Sequence, residues 1–185
     1  MRKRKSLTTA SRRQVIVAFS IVSGRVHFLA ILMHLALESV DQPDVIALID
    51  ALDAYQGALY PPESNYHLSV EALKQPNVLF SVVRDDDGVA LGCGAVVLLD
   101  GYGELKRMYV SPAQRGRGIA KAIIAFLEQE VPRRDRTILR LETGVHQAEA
   151  LALYERAGYT RCGRYGDYPA DPLSVFMEKK IQPLT

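Results

Sequence analysis

The residues whose types and spacing can do chemistry lie between positions 104 and 120. Glu104-Leu-Lys-Arg-Met-Tyr-Val110 is an apolar-rich run, Ser111-Pro-Ala-Gln114 is a break, and Arg115-Gly-Arg-Gly-Ile-Ala120 opens a helical pattern. A strand that feeds a glycine-rich turn at a helix start builds an anion site. The free N–H groups of the first helical turn point outward, and the helix dipole adds partial positive charge. Gly116 and Gly118 let phosphate oxygens approach the backbone, and Arg115 and Arg117 add charge. The expected ligand is a diphosphate.

Two familiar phosphate motifs fail here. A P-loop needs Lys-Ser/Thr after its second glycine, and none follows Gly118. A dinucleotide fingerprint starts well at Gly116-Arg-Gly118, but Lys121 occupies its last position. The pattern R/Q-x-x-G-x-G/A, in contrast, is met in full by Arg115 to Ala120.

In this the chain resembles the GNAT acetyltransferase superfamily, whose acyl-CoA pyrophosphate loop has that form. Ala150-Leu-Ala-Leu-Tyr154-Glu-Arg-Ala-Gly158-Tyr159 resembles the family's second signature, A-x-x-L-Y-x-x-x-G-[FY]. Leu141-Glu-Thr-Gly144 and Pro172-Leu-Ser-Val-Phe-Met-Glu178 look like a branch of small bacterial members, so the resemblance covers nearly all of 33–180. One position departs: many relatives have Asn seven residues before the tyrosine, and here it is Gln147.

The resemblance implies direct acetyl transfer from acetyl-CoA, as co-substrate, to the amine of a small polar molecule or amino acid. Such a reaction needs a base for the amine proton, a donor for the oxyanion and a proton for the leaving thiolate. By resemblance, Glu104 is the candidate base, the N–H of Tyr109 or Val110 the oxyanion donor, and Tyr154 the acid. Met108, Tyr109, Val110, Arg115, Gly116, Arg117, Gly118, Ile119, Ala120 and Gln147 are the expected cofactor contacts. Glu63 on the 60–65 loop, Asp167 in Tyr165-Gly-Asp167-Tyr168, and His146 are weaker substrate candidates. A non-catalytic acyl-CoA-binding module would keep 115–120 without needing Glu104 or Tyr154, and a protein N-acetyltransferase would lack a deep pocket. Members of this superfamily often pair by strand ends, so a homodimer is allowed.

The elements that must position these residues follow from periodicity and turn chemistry. Met33–Glu38 reads as a strand, Asp41 as the cap of a helix ending at Gly57, and 69–74 as a short helix. Val78–Val83, Val89–Leu99 and Gly103–Val110 read as a meander, with turns at Asp87-Gly88 and Asp100-Gly101. A helix to Glu130 carries Ile119, Ile123, Ile124 and Leu127 on one face. A strand at 138–142, a helix at 147–157 and strands at 159–162 and 174–178 complete the order. The fold class is α/β, a mixed central sheet of antiparallel meander then βαβ, flanked by helices: the GNAT fold that the resemblance implies.

Composition narrows the partners. Residues 1–32 hold seven basic side chains and no acidic ones, which leaves 33–185 at about −5. A mildly acidic body argues against nucleic acid as partner. Cys93 and Cys162 make no disulfide framework, and His27, His34, His67 and His146 lack metal-ligand spacing, so no metal is expected. Residues 1–32 read as an extension outside a domain at 33–185. Arg2–Lys5 before Val15–Val22 also has the form of an export signal, with Ser11-Arg12-Arg13 resembling its twin-arginine variant. A membrane span across 15–37 would place Arg25 near its centre, which costs about 2.5–3.5 kcal/mol. Because acetyl-CoA is a cytoplasmic metabolite, the expected location is the cytoplasm.

Overall fold

The computed structural model describes the backbone of residues 13–22 and 25–183, and the side chains of 33–183. Among the described residues eight strands form one sheet in the order β1-β2-β3-β4-β5-β6-β8-β7. They are β1 (Arg13–Val22), β2 (Arg25–Leu37), β3 (Val78–Arg84), β4 (Ala90–Leu98), β5 (Gly103–Val110), β6 (Ile138–Gly144), β7 (Thr160–Arg161) and β8 (Ser174–Lys180). Only β5 and β6 run parallel; the other neighbours are antiparallel. The expected mixed sheet is the observed one.

Helices cover both faces. On one side α1 (Pro43–Leu59) and α2 (Val70–Leu73) bury Val45, Leu48, Ile49, Leu52 and Leu73 against Phe80, Val82, Cys93 and Ala95. On the other, α3 (Ile119–Glu130) and α4 (Ala148–Arg156) close over Leu79, Val96, Leu105, Leu139, Leu141 and Met177. The apolar face read from sequence on α3 is the buried one, with Ile119, Ile123, Ile124 and Leu127 at most 2% exposed. Each such side chain contributes about 1.5–3 kcal/mol by leaving water.

Three local expectations change. Asp41 does not cap α1: the cap position is Gln42, with Pro43 opening the helix and Asp44 accepting the Val45 N–H. Gln42 and Asp44 instead bind Arg84 of β3, which also takes Glu38, so the helix start is tied to the sheet rather than capped locally. The helix runs through Gly57 to Leu59, because a single glycine lowers helix propensity by only about 1 kcal/mol. The strand expected from Met33 starts at Arg25, since the run upstream pairs as a hairpin with β1. Its ladder to β3, however, spans only His34 to Leu37. Val15–Val22, the apolar part of the export-signal reading, lies in β1, whereas Arg2–Lys5 and Ser11-Arg12 lie outside the described residues.

Candidate active site

The site is set by a break in the β5–β6 pair. Their parallel ladder runs from Gly103/Leu139 to Leu105/Leu141 and stops, so the residues of β5 beyond Leu105 have no partner on that side. On the other edge Tyr109 pairs with Cys93, and the Ser111 N–H donates to the Leu91 carbonyl at 3.0 Å. Alternation along an antiparallel strand then turns the Tyr109 N–H toward β4 and the Val110 N–H toward the opening. Of the two oxyanion donors expected from sequence, Val110 has the right direction.

A cavity of about 620 Å³ occupies the opening, lined by Met108, Tyr109, Val110, Arg115, Gly116, Gly118, Ile119, Ala120 and Gln147, among others. Both Gly116 and Gly118 have φ of +75°, a conformation that favours glycine, and Gly118 is the cap of α3. A Cβ on Gly116 would meet nothing within 4 Å, so the turn presents bare backbone to the cavity. This cradle and the Arg115 beside it fit a diphosphate of coenzyme A size. The Arg117 side chain is not part of the lining; it turns back onto the Gln114 carbonyl oxygen of its side-chain amide.

A second cavity, about 90 Å³, shares Leu52, Met108, Gln147, Ala150 and Tyr154 with the first. Its walls come from the 60–68 segment, from Lys106 and Arg107 of β5, from Glu142 to Gly144 of β6, and from Leu173. The 60–68 and 164–173 segments meet over it: the Tyr66 hydroxyl donates to Asp171 at 2.9 Å, and the Tyr66 ring sits edge-on to Tyr168. The 60–68 segment lines the small cavity, whereas the 165–168 loop lines neither cavity and only meets Tyr66 beside it. Glu63 and Asp167 line neither cavity, and His146 lies on the cofactor side, stacked on Tyr60 at 5.6 Å.

Tyr154 is 7% exposed and stands where the cavities join. Its hydroxyl makes no hydrogen bond among the described residues. Burial, assisted by the charge of Glu142, pushes its pKa upward, so it carries its proton at neutral pH. Gln147 folds its longer arm back: its side-chain oxygen accepts from the Gly144 N–H and the Thr143 hydroxyl, both at 3.1 Å. The amide NH2 of Gln147 remains for a ligand.

Glu104 is buried and lines neither cavity. It accepts from the hydroxyls of Tyr165 and Tyr168 and pairs with Lys106 at 3.2 Å. The carboxylate that does face the small cavity is Glu142. One oxygen accepts from Ser174 at 2.6 Å, and the other has no hydrogen-bond partner among the described residues. Desolvation raises its pKa above the usual carboxylate range, with Ser174 and Lys106 opposing. Glu142 has no expected role from sequence, although an acidic residue within the strand Ile138–Gly144 marks it out. Gly144 beside it is needed for close approach, because a Cβ there would overlap the Tyr60 ring and hydroxyl. His67 also lines this cavity, 3.3 Å from Asp53, and burial lowers its pKa, with Asp53 opposing and Arg107 and Lys106 adding. It is neutral there at pH 7.

Among the described residues no group of three or more His, Cys, Asp or Glu could hold a metal ion, and no helix is long and apolar enough to cross a membrane.

Residues 45–159 match the family model for the acetyltransferase (GNAT) family. An IAA acetyltransferase of Azospirillum brasilense is 44% identical over 149 residues, 80% of this chain and 97% of that protein. The N-acetyltransferase YsnE of Bacillus subtilis is 34% identical over 152 residues, 80% of this chain and all of that protein. A Klebsiella pneumoniae structure described as an acyl-CoA N-acyltransferase superposes with a TM-score of 0.68 at 40% identity, over 80% of this chain and 97% of the other. An aminoglycoside 6'-N-acetyltransferase solved with coenzyme A shares the fold, with a TM-score of 0.61 at 18% identity over 82% of this chain and 98% of its own.

Proposed function

The chain belongs to the GNAT acetyltransferase family and is an acyltransferase; from that footing we propose that it transfers acetyl from acetyl-CoA to the amine of a small polar molecule. One observation carries the reading: the large cavity at the glycine turn and the small, walled cavity meet at Met108, Gln147, Ala150 and Tyr154. A thioester laid along the open edge of β5 would end where an amine in the small cavity can reach it. The enclosure of that cavity by the 60–68 and 164–173 segments favours a small amine over a protein surface.

In this reading acetyl-CoA supplies an activated acyl group. Arg115 and the turn at Gly116–Gly118 hold the diphosphate, and the Gln147 amide NH2 steadies the adjoining arm. The Val110 N–H donates to the acyl oxygen as negative charge gathers there. The free Glu142 oxygen receives the amine proton, because its raised pKa makes it a stronger base than an exposed carboxylate. Tyr154 hands its proton to the departing thiolate. Glu104 holds Lys106 and the two tyrosine hydroxyls in place and does not carry the proton itself. Residues 1–32 stand outside the catalytic unit, a view supported by the short β2–β3 ladder. Acetyl-CoA is a cytoplasmic metabolite, which supports a cytoplasmic location.

The direct test is an amine panel with acetyl-CoA, reading released thiol and acetylated product together. Thiol release that requires a small amine is the expected result. Release that depends only on a folded protein acceptor, or none with any amine, sinks the reading.

A further inference from the structure

Arg107 has φ of +56°, one of two non-glycine residues with positive φ among the described residues. It sits where the β4–β5 register slips: Lys106 pairs with Ala95 and Tyr109 with Cys93, leaving Arg107 and Met108 opposite Gly94 alone. That is a β-bulge, and the left-handed position in such a bulge usually belongs to glycine. Here a large side chain occupies it and is tied down at every nitrogen. Nη1 donates to Asp53 of α1, Nε donates to the Leu68 carbonyl at 3.0 Å, and Nη2 donates to the same carbonyl. The side chain is 5% exposed. The Asp53 oxygen that takes Arg107 also takes His67, so the clamp reaches two residues of the acceptor wall.

The bulge lies two residues past the last β5–β6 pair and three before Val110. We propose that Arg107 is a positioning residue: its clamp onto Asp53 and Leu68 holds the β5 bulge, and the bulge sets where the Val110 N–H meets the acyl oxygen. The inference rests on the acetyl-transfer reading above. It assigns to one side chain the joining of acceptor wall and oxyanion donor. The large cavity is not lined by Arg107, so its side chain makes no contact with coenzyme A there.

Arg107→Gly in the full chain separates clamp from backbone, since glycine accepts this φ without a side chain. Two readouts are needed: kcat and KM for acetyl-CoA, and the Val110 amide resonance of 15N-labelled protein titrated with coenzyme A and then acetyl-CoA. In the natural chain the Val110 amide shifts more with acetyl-CoA than with coenzyme A. In Arg107→Gly that difference collapses and kcat falls about 100-fold, the scale of a small misplacement, with KM for acetyl-CoA within about 3-fold. Arg107→Lys, which keeps charge toward Asp53 but loses the fork onto Leu68, restores only part of either, and serves as the variant if Arg107→Gly does not fold. Retention of the acetyl-dependent shift and of kcat in both variants overturns the clamp. Loss of coenzyme A affinity in step with kcat overturns it too, as general damage. If the natural chain's Val110 amide answers neither ligand, the acetyl-transfer reading itself has failed.

Discussion

The two halves of the cleft are built differently. The glycine turn that lines the large cavity is one continuous stretch: strand end, break, two left-handed glycines and a helix start, all within Met108 to Ala120, with α1 and α4 completing the wall. The small cavity draws on six separate places, with Leu52 and Gln56 on α1, Tyr60 and Tyr66 before β3, Lys106 and Arg107 on β5, Glu142 on β6, Tyr154 on α4 and Leu173 before β8. In the proposed reading backbone groups hold the ligand on the first side, and buried side chains hold it on the second. A diphosphate can be held by N–H groups that any helix start offers, whereas a single amine must be found by charges fixed at particular points. Substitutions should therefore be graded differently on the two sides.

Glu142→Gln tests the contrast most severely. It should lower kcat/KM by about 100-fold or more, the usual reach of a general base, and leave coenzyme A binding by calorimetry unchanged. The natural chain should also lose activity as pH falls through the Glu142 pKa, which burial has raised above the ordinary carboxylate range. The base works only when ionised, so the acidic limb of the profile belongs to it and should vanish in the variant. An unchanged limb would return the proton to another group, with His67 next in line.

Tyr154→Phe comes second. A thiolate is already a fair leaving group, so the loss in kcat should be about 10-fold, without a change in melting temperature beyond a few degrees. An unaltered kcat would make Tyr154 a packing residue of the cavity junction. On the cofactor side, Arg115→Ala should weaken coenzyme A by about 5-fold, and more at low salt, whereas Arg117→Ala should be close to silent. Equal effects would mean that Arg117 swings away from Gln114 when a diphosphate binds. The smallest effect expected is none: a chain starting at Met33 should keep its kcat, and a loss would bring the β1–β2 hairpin into the working fold.

Most element positions were readable because each follows from local chemistry. Glycine after aspartate marks the turns at 88 and 101, and the spacing of Ile119, Ile123 and Leu127 marks the α3 face. The misread places are those where distant groups compete. Asp41 has the right type for a cap, yet Arg84, some forty residues on, draws Gln42 and Asp44 into a cluster with Glu38. Among candidate site residues, Arg115, Gly116 and Gly118 could be named from sequence because the turn that uses them is local. Glu104 drew attention by lying close to the cradle in the chain, but its side chain points into Tyr165 and Tyr168 rather than a cavity.

Local sequence alone determined the left-handed glycine turn and the helix that carries Tyr154. Left-handed glycines, helix starts and apolar periodicity are properties of a few neighbouring residues. Tertiary structure alone decided which carboxylate lines the small cavity, which N–H of β5 faces the opening and what walls that cavity. These depend on where the β5–β6 ladder ends and on how Arg107 is bound to Asp53 and Leu68. Neither can be read from spacing, since strand register and buried ion pairs are set by the packing of α1 and the 60–68 segment against the sheet.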